Sequence, residues 1–300
     1  MWRSVIVYNG ERLSTIDNWL IVTMEDGQQK KIPMEDLYCV VVDNMSITIT
    51  MPVLVSMARN KVHLIVTDER HLPVAQTLPL NTHYRCYKVM KRQIAMSDEF
   101  KGGIWQAITC AKIRNQAMCL SNVWGDPEIV DRLRQFADEV VPHDAGNREG
   151  VAAKMFFKNM YGADFTRFDD DKINAALNYG YAILRSGVAK SLVSYGFSCV
   201  LGVHHISETN EFNLADDFME PLRPLVDNWI ALHIEDVEEG LSKYVKGELV
   251  NLLNAEVRFD NKSLKVRYAI DSMVRSFVTS IETNNPQRLL LPEIIRHHDA

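Results

Sequence analysis

Cysteine is scarce in this chain of 300 residues: there are five, at positions 39, 86, 110, 119 and 199, odd in number, scattered, and never paired as C-x-x-C. That pattern disfavours both a disulfide framework and a structural zinc site. Long apolar runs are missing as well. No window reaches the roughly 18 apolar residues of a spanning helix, and the opening MWRSVIVYNG has an early arginine without the uninterrupted apolar segment of a secretory signal. The expectation is a soluble, cytoplasmic protein that makes no use of a membrane. A basic excess is also lacking, since the net charge of -6 weighs against nucleic acid as a partner. There is no phosphate-binding G-x-x-x-x-G-K-[ST] loop, no internal repeat and no low-complexity tract. What remains, 47% hydrophobic and 24% charged, is an ordinary globular composition with length enough for one large core or two smaller ones.

The charge is unevenly spread. Over residues 83–114, Arg85, Lys88, Lys91, Arg92, Lys101, Lys112 and Arg114 stand against only Asp98 and Glu99, whereas acid gathers in stretches such as IEDVEEG at 234–240. The periodicity changes along the chain too. Residues 1–80 read as a β-rich domain: DNWLIVTMEDGQQKKIP forms a hairpin turning at Asp26-Gly27, LYCVVVDN, KVHLIVTD and LPVAQTLPL read as short strands, and one helix starts near Pro52. After Pro79 the apolar spacing becomes three and four. Residues 81–100 read as a connecting helical segment and 101–300 as an α-helical catalytic domain, with helices in IWQAITCAKIRNQAMCLSNV, PEIVDRLRQFADEVV, REGVAAKMFFKNMYG and DDKINAALNYGYAILRSGVAKSLVSYG. The fold class is therefore α+β, a β-sandwich-like N-terminal domain followed by a larger all-α one.

Three helical-half segments carry groups able to do chemistry. In NREGVAAKMFF, Asn147 reads as a helix N-cap that puts Glu149 in the first turn, where a carboxylate also complements the helix dipole. In SCVLGVHHISETNEF, His204 and His205 are adjacent, so one imidazole can turn inward while the other faces solvent. In ADDFMEPLRP, Asp217 and Glu220 are neighbours on one helical face and Asp216 lies four residues from Glu220. Such crowding of like charge calls for a cation. Pro221 suits a helix end or kink, and Arg223 offers the plain alternative of an acid held by a salt bridge. A glutamate, a neutral imidazole and a second carboxylate make up the mixed oxygen and nitrogen set suited to Mn2+ or Mg2+. With about three protein ligands such an ion keeps positions for phosphate oxygens.

On these residues the chain resembles the CRISPR-associated spacer-acquisition integrases. The resemblance rests on N-x-E-G at 147–150, N-x-x-LNYGY ending at Tyr181, G-x-x-H at 202–205 and D-x-M-E-P-x-R-P-x-V-D at 217–227, four motifs in order. The HH pair and the M-E-P-L-R-P wording are most similar to the branch of the type II systems. The resemblance implies that Glu149, His205 rather than His204, and Glu220 are the catalytic metal ligands, with Asp217 beside them and Mn2+ or Mg2+ as cofactor. It implies a metal-dependent DNA endonuclease and integrase that inserts captured fragments into a CRISPR array by 3′-hydroxyl attack on a phosphodiester. The implied partners are double-stranded DNA (prespacer and array), a second copy in a homodimer, a small ferredoxin-like adaptation subunit and other type II CRISPR proteins. A DNA surface shared among subunits also answers the objection from net charge. Arg85, Lys88 and Arg92 are the DNA-contact candidates. Two other readings remain open: a metal-dependent phosphoesterase for a small substrate, and a non-enzymatic helical scaffold whose acids merely pair with Arg148 and Arg223.

Overall fold

The computed structural model describes residues 3–78, 83–123 and 126–296, and the chain forms two compact units, Met1–Asn81 and Thr82–Ala300. In the first, the elements run β1 (Arg3–Val7), β2 (Arg12–Ile16), β3 (Trp19–Thr23), β4 (Gln29–Pro33), β5 (Leu37–Val42), β6 (Thr48–Ile49), α1 (Met51–Arg59), β7 (His63–Thr67) and β8 (Pro73–Gln76). They build two four-stranded sheets in the orders β1-β5-β7-β8 and β4-β3-β2-β6. The LYCVVV run of β5 pairs in parallel with β1 and β7 and is buried along nearly its whole length, as a parallel strand covered on both faces requires. β3 and β4 pair as an antiparallel hairpin; Gly27 in its turn takes φ +79, a conformation costly for other residues. Leu13, Leu20, Met34, Leu37, Val40 and Val53 are fully buried in one core that both sheets and α1 share. Pro52 is the second residue of α1, where its missing N–H costs nothing. Pro79, and with it the junction expected between residues 80 and 81, lies outside the described residues.

The second unit carries α2 (Cys86–Ile94), α3 (Asp98–Val123), α4 (Pro127–Asp138), α5 (Arg148–Tyr161), α6 (Lys172–Ser194), α7 (Asn213–Met219), α8 (Arg223–Leu232), α9 (Ile234–Glu238), α10 (Lys243–Asn251) and α11 (Val266–Thr283). Helix α3 is its axis. It packs against α4, α5 and α8 and buries residues all round, among them Ile104, Trp105, Ile108, Ile113, Cys119 and Leu120, which is why its sequence shows no single apolar stripe. The apolar stripe over 214–230 is helical and interrupted where Pro221 suggests an end or kink: the structure divides it into α7, a 3-10 turn at Glu220–Leu222 and α8. Pro221 and Pro224 cause the break, because neither can donate a backbone hydrogen bond to the preceding turn.

The helical unit also holds a small sheet, β10-β9-β11, made of β9 (Glu256–Phe259), β10 (Lys262–Lys265) and β11 (Glu293–Ile294). β9 and β10 join through Asp260 and Asn261, both left-handed at φ 49 and 60, as a two-residue hairpin turn demands. Among the described residues, no helix is long and apolar enough to cross a membrane.

Candidate metal centre and nucleic-acid face

Helix α5 positions Glu149. Asn147 occupies the N-cap position, but its backbone is left-handed and its side chain makes no capping bond. Asp144 caps instead: its two carboxylate oxygens accept from the N–H of Arg148 at 2.8 Å and of Glu149 at 2.9 Å. The Asn147 side chain folds over the first turn, where a Cβ on residue 150 would meet its Oδ1 at 2.7 Å. Glycine at 150 leaves room for that side chain, and the N-x-E-G motif is a folded turn from which Glu149 emerges.

His205 is fixed from behind by Asp217. That carboxylate, fully buried, accepts from the backbone N–H of Val203 at 2.5 Å, His204 at 3.2 Å and His205 at 3.0 Å, and its Oδ1 lies 2.8 Å from His205 Nδ1. A neutral ring donating from Nδ1 keeps its lone pair on Nε2. The hydrogen bond to Asp217 raises the His205 pKa above its ordinary 6.5 in spite of burial, with the charges of Asp217 and Glu220 acting the same way. The turn closes only over glycine, for a Cβ at 202 would collide with the carbonyl oxygen of His205. His204 takes a different part. Its ring stacks on the buried Trp105 at 4.0 Å between centroids and 1° between planes, and burial lowers its pKa.

Glu220 stands at the break between α7 and α8, its side chain only 4% exposed, and two cations meet it: Arg223 Nε lies 2.8 Å from Oε1 and Lys112 Nζ 2.5 Å from Oε2. Neither contact has hydrogen-bonding angles, as Glu220 Oε2 and Arg223 Nε both lack a hydrogen-bond partner. Burial alone would raise the Glu220 pKa, but Arg223 and Lys112 outweigh it and hold the carboxyl at about 2. Lys112 also donates to Glu149 Oε1 at 2.6 Å. Burial works against its charge, yet Glu220 and Glu149 together raise its pKa above the ordinary value. One ammonium therefore bridges two carboxylates that are 71 residues apart in sequence.

The remaining acids of ADDFMEPLRP find separate partners. Asp216 accepts from Asn210 at 2.7 Å and faces Arg185 at 3.9 Å. Further along, burial pushes Asp227 up to about 7 while its Oδ1 accepts from the Tyr181 hydroxyl at 2.5 Å. The Arg223 guanidinium lies over the Tyr181 ring at 4.7 Å. The second and fourth sequence motifs thus meet behind Glu220, with Tyr181 against both Asp227 and the arginine that holds Glu220.

Helix α2 carries Lys88 and Arg92, with Arg85 at its N-cap. Arg85 lies over the Tyr84 ring at 4.9 Å, Lys88 is exposed, and Arg92 donates to Glu282 at 2.6 Å. Tyr84 is 84% and Tyr87 77% exposed beside them. The opposite face is locked down: the buried Gln93 donates to the carbonyls of Ser198 and Leu201 at 2.8 and 2.7 Å and accepts from Ser198 N–H at 3.0 Å. This ties α2 to the segment leading into His205. Of the seven basic residues over 83–114, three are engaged by acids outside that segment: Arg92 by Glu282, Lys112 by Glu149 and Glu220, and Arg114 by Asp138. The basic excess read from composition is accordingly smaller as a surface.

The structure brings Glu149 and Glu220 to one cation and sets His205 where Glu220 acts on its charge. Arg148 pairs with Glu139 at 2.8 Å, not with any of these acids. Among the described residues no three acidic, histidine or cysteine side chains close into a ready-made cage. The donor types nevertheless fit a divalent ion: two carboxylates around a resident cation, one oxygen of Glu220 buried without a hydrogen bond, and an imidazole oriented by a carboxylate behind it. Lys112, counted from the sequence only as part of the basic excess over residues 83–114, is the group the motifs did not reveal. The available signal was its register, four residues beyond Ile108 and seven beyond Trp105 on α3, where a charge needs a partner.

Comparison with known proteins gives consistent findings. The family model described as CRISPR associated protein Cas1 matches residues 5–258. The CRISPR-associated endonuclease Cas1 of Neisseria meningitidis serogroup C is 38% identical over 297 residues, covering 98% of this chain and 97% of that one. Among solved structures, a casposase bound to integration product aligns at a TM-score of 0.77 and 19% identity over 94% of this chain and 91% of its own. A Cas1 protein from Thermotoga maritima aligns at 0.75 and 15% identity over 93% and 97%. A chain of a Cas6-RT-Cas1–Cas2 complex aligns at 0.75 and 19% identity; the match covers 99% of this chain but 36% of that longer one.

Proposed function

Since the chain belongs to the Cas1 family of CRISPR-associated proteins, we propose that it is a divalent-metal-dependent DNA endonuclease and integrase that inserts captured DNA fragments into a CRISPR array. The observation that carries this reading is the convergence of Glu149 and Glu220 on a single cation, with the Asp217-braced His205 at the same site. Glu149, Glu220 and His205 Nε2 would hold Mn2+ or Mg2+, which when bound supplies Lewis-acid stabilisation of the phosphoryl oxygens and of the leaving oxygen.

The chain's own groups supply the rest. Asp217 keeps the His205 ring in one orientation and one tautomer. Arg223, braced on Tyr181, holds the Glu220 carboxylate ionised at neutral pH. The reaction exchanges equivalent bonds: the 3′-oxygen of the fragment bonds to phosphorus as the array's own 3′-oxygen departs, and the proton of the attacking hydroxyl ends on that leaving oxygen. No nucleotide energy source is required, in keeping with the missing phosphate-binding loop. Water in place of the hydroxyl gives nuclease activity at the same site.

Arg85, Lys88 and Arg92 would touch the DNA backbone, with Tyr84 and Tyr87 as stacking surfaces for bases. Arg92 contributes least, because Glu282 already engages it. A homodimer, a small ferredoxin-like Cas2-type partner and other proteins of a type II system complete the proposed assembly, in the cytoplasm where the array lies. Two of the solved relatives, one a Cas1–Cas2 complex and one bound to integration product, support DNA and a Cas2-type partner.

The test is to incubate the purified chain, with and without that partner, with short 3′-hydroxyl duplexes and a supercoiled array plasmid in Mn2+ or Mg2+. Joined, relaxed product that disappears with His205→Ala and Glu149→Ala is expected; no product in either metal from the folded protein refutes the proposal. Charge reversal of Arg85 and Lys88 should reduce the salt slope of DNA binding by about one for each phosphate that is no longer neutralised.

A further inference from the structure

Two carboxylates and one lysine share the centre of this site, and their arrangement constrains how an ion can enter. Lys112 projects from the middle of α3, the helix on which α4, α5 and α8 pack, and only 11% of its side chain reaches solvent. Its ammonium touches Glu149 Oε1 at 2.6 Å and Glu220 Oε2 at 2.5 Å, so those two oxygens can stand no more than about 5.1 Å apart. Arg223 covers only the other oxygen of Glu220, and Arg148, the basic residue next to Glu149, is turned to Glu139. Lys112 is the one side chain, among the described residues, that satisfies both acids together, and Glu220, buried at 4% exposure, could not keep its charge in such a place without cations against it.

We infer that Lys112 is a displaceable counter-ion: it holds Glu149 and Glu220 together in the ion-free protein, and a divalent cation must evict its ammonium to bind. The inference rests on the metal-binding reading of Glu149, Glu220 and His205 given above. An ion held by both carboxylates would compete with the ammonium for them, and two positive charges at contact distance in a poorly solvated site repel too strongly to share the place. The evicted ammonium cannot travel far, because helical packing fixes the Lys112 backbone and four side-chain torsions are its whole reach. It stays at the rim of the site, where the oxygens of a DNA phosphate are the anions able to take the place of the carboxylates.

Binding of ion and binding of DNA are therefore coupled through one lysine. Without DNA, ion binding strips Lys112 of its partners and is weak; with a phosphate present the ammonium gains a new one. Linkage requires the reverse as well, so the ion strengthens DNA binding by the same factor. An empty protein would take up metal poorly and become competent only on its substrate, which limits unguided cleavage.

The experiment measures Mn2+ affinity directly, by calorimetry and by the electron paramagnetic resonance signal of free ion, on the full chain with and without a short duplex. Wild type is compared with Lys112→Met, which keeps length and apolar bulk, and with Lys112→Arg, which keeps charge. Lys112→Met should bind Mn2+ about tenfold more tightly than wild type without DNA. It should also lose the gain that duplex confers on wild type, whereas Lys112→Arg should show no such tightening. Equal or weaker Mn2+ binding by folded Lys112→Met overturns the displacement. Wild type that binds no Mn2+ with or without duplex overturns the metal-site reading itself, a separate outcome. If Lys112→Met does not fold, a Mn2+-soaked crystal of wild type decides: an ion between the carboxylates with Nζ moved off both is expected, and Nζ still touching both refutes the inference.

Discussion

Replacing Asp217 by asparagine exchanges one oxygen for an NH2 group, which changes the hydrogen-bonding pattern and leaves the volume nearly unchanged. The native carboxylate is an acceptor on both sides: Oδ2 takes the N–H of Val203 and His204, Oδ1 that of His205 and its ring Nδ1. Asparagine offers one oxygen and one NH2 group: turned one way the NH2 opposes the N–H of Val203 and His204, and turned the other it opposes the N–H of His205 and forces the ring proton from Nδ1 to Nε2. Each hydrogen bond to a buried ionised acceptor is worth about 1.5–3 kcal/mol, so losing one or two of them should cost about 1.5–6 kcal/mol. In a unit of this size that lowers the melting temperature by roughly 3–24 °C. A second signature concerns His205 alone. Asp217 raises its pKa above 6.5, so the folded state holds the proton more firmly than the unfolded state; the resulting stabilisation is complete below about pH 6.5 and disappears as pH rises through the raised folded value. In Asp217→Asn that pH dependence should vanish, and NMR titration should show the ring losing its proton at lower pH than in wild type. Mn2+ affinity should fall about 10–100-fold with the brace behind a ligand removed. Thermal unfolding of metal-free protein at pH 6 and 8, the histidine titration and Mn2+ calorimetry check all three. A variant within about 1 kcal/mol of wild type, with His205 titrating unchanged, would refute the claim that this carboxylate builds the histidine turn.

Three further outcomes rest on the same geometry. Gly202→Ala drives a Cβ into the His205 carbonyl oxygen, so the turn has to open; a loss of about 1–3 kcal/mol in urea unfolding, with weakened Mn2+ binding, is expected. Asp144→Ala removes both bonds that cap α5 and should cost about 1–2 kcal/mol in the same assay, together with activity, because Glu149 lies in the turn it anchors. The Glu220 carboxyl is held at about 2 against an ordinary 4.5; a depressed carboxylate contributes stability that is full above about pH 4.5 and lost as pH falls toward 2. Urea midpoints across that window should therefore fall more steeply for wild type than for Glu220→Gln, and parallel curves would count against the ion pairs.

How much of this site could be read from the chain alone depends on the range of the interaction involved. The β3–β4 hairpin, α1 behind Pro52 and the helices from α3 to α6 follow from patterns within a few residues, turn chemistry and apolar period, and these the structure reproduces. The acids of ADDFMEPLRP announced that cations were needed, since like charges at helical spacing are unfavourable alone. Which cations answered was invisible, because Lys112 reaches Glu220 across 108 residues of sequence and Glu149 across 37. The N-cap of α5 shows the same limit at shorter range. Asn147 has the right residue type at the right place, yet three residues earlier Asp144 wins, because the left-handed turn through His143, Asp144 and Asn147 aims its carboxylate at the helix end. Prolines 221 and 224 were legible as a disturbance but not as a purpose. They end α7 at Met219, tighten Glu220–Leu222 into a 3-10 turn and restart the helix at Arg223; the backbone stays right-handed through Glu220, with its carboxylate against Lys112 and that of Asp217, three residues before, against the histidine turn.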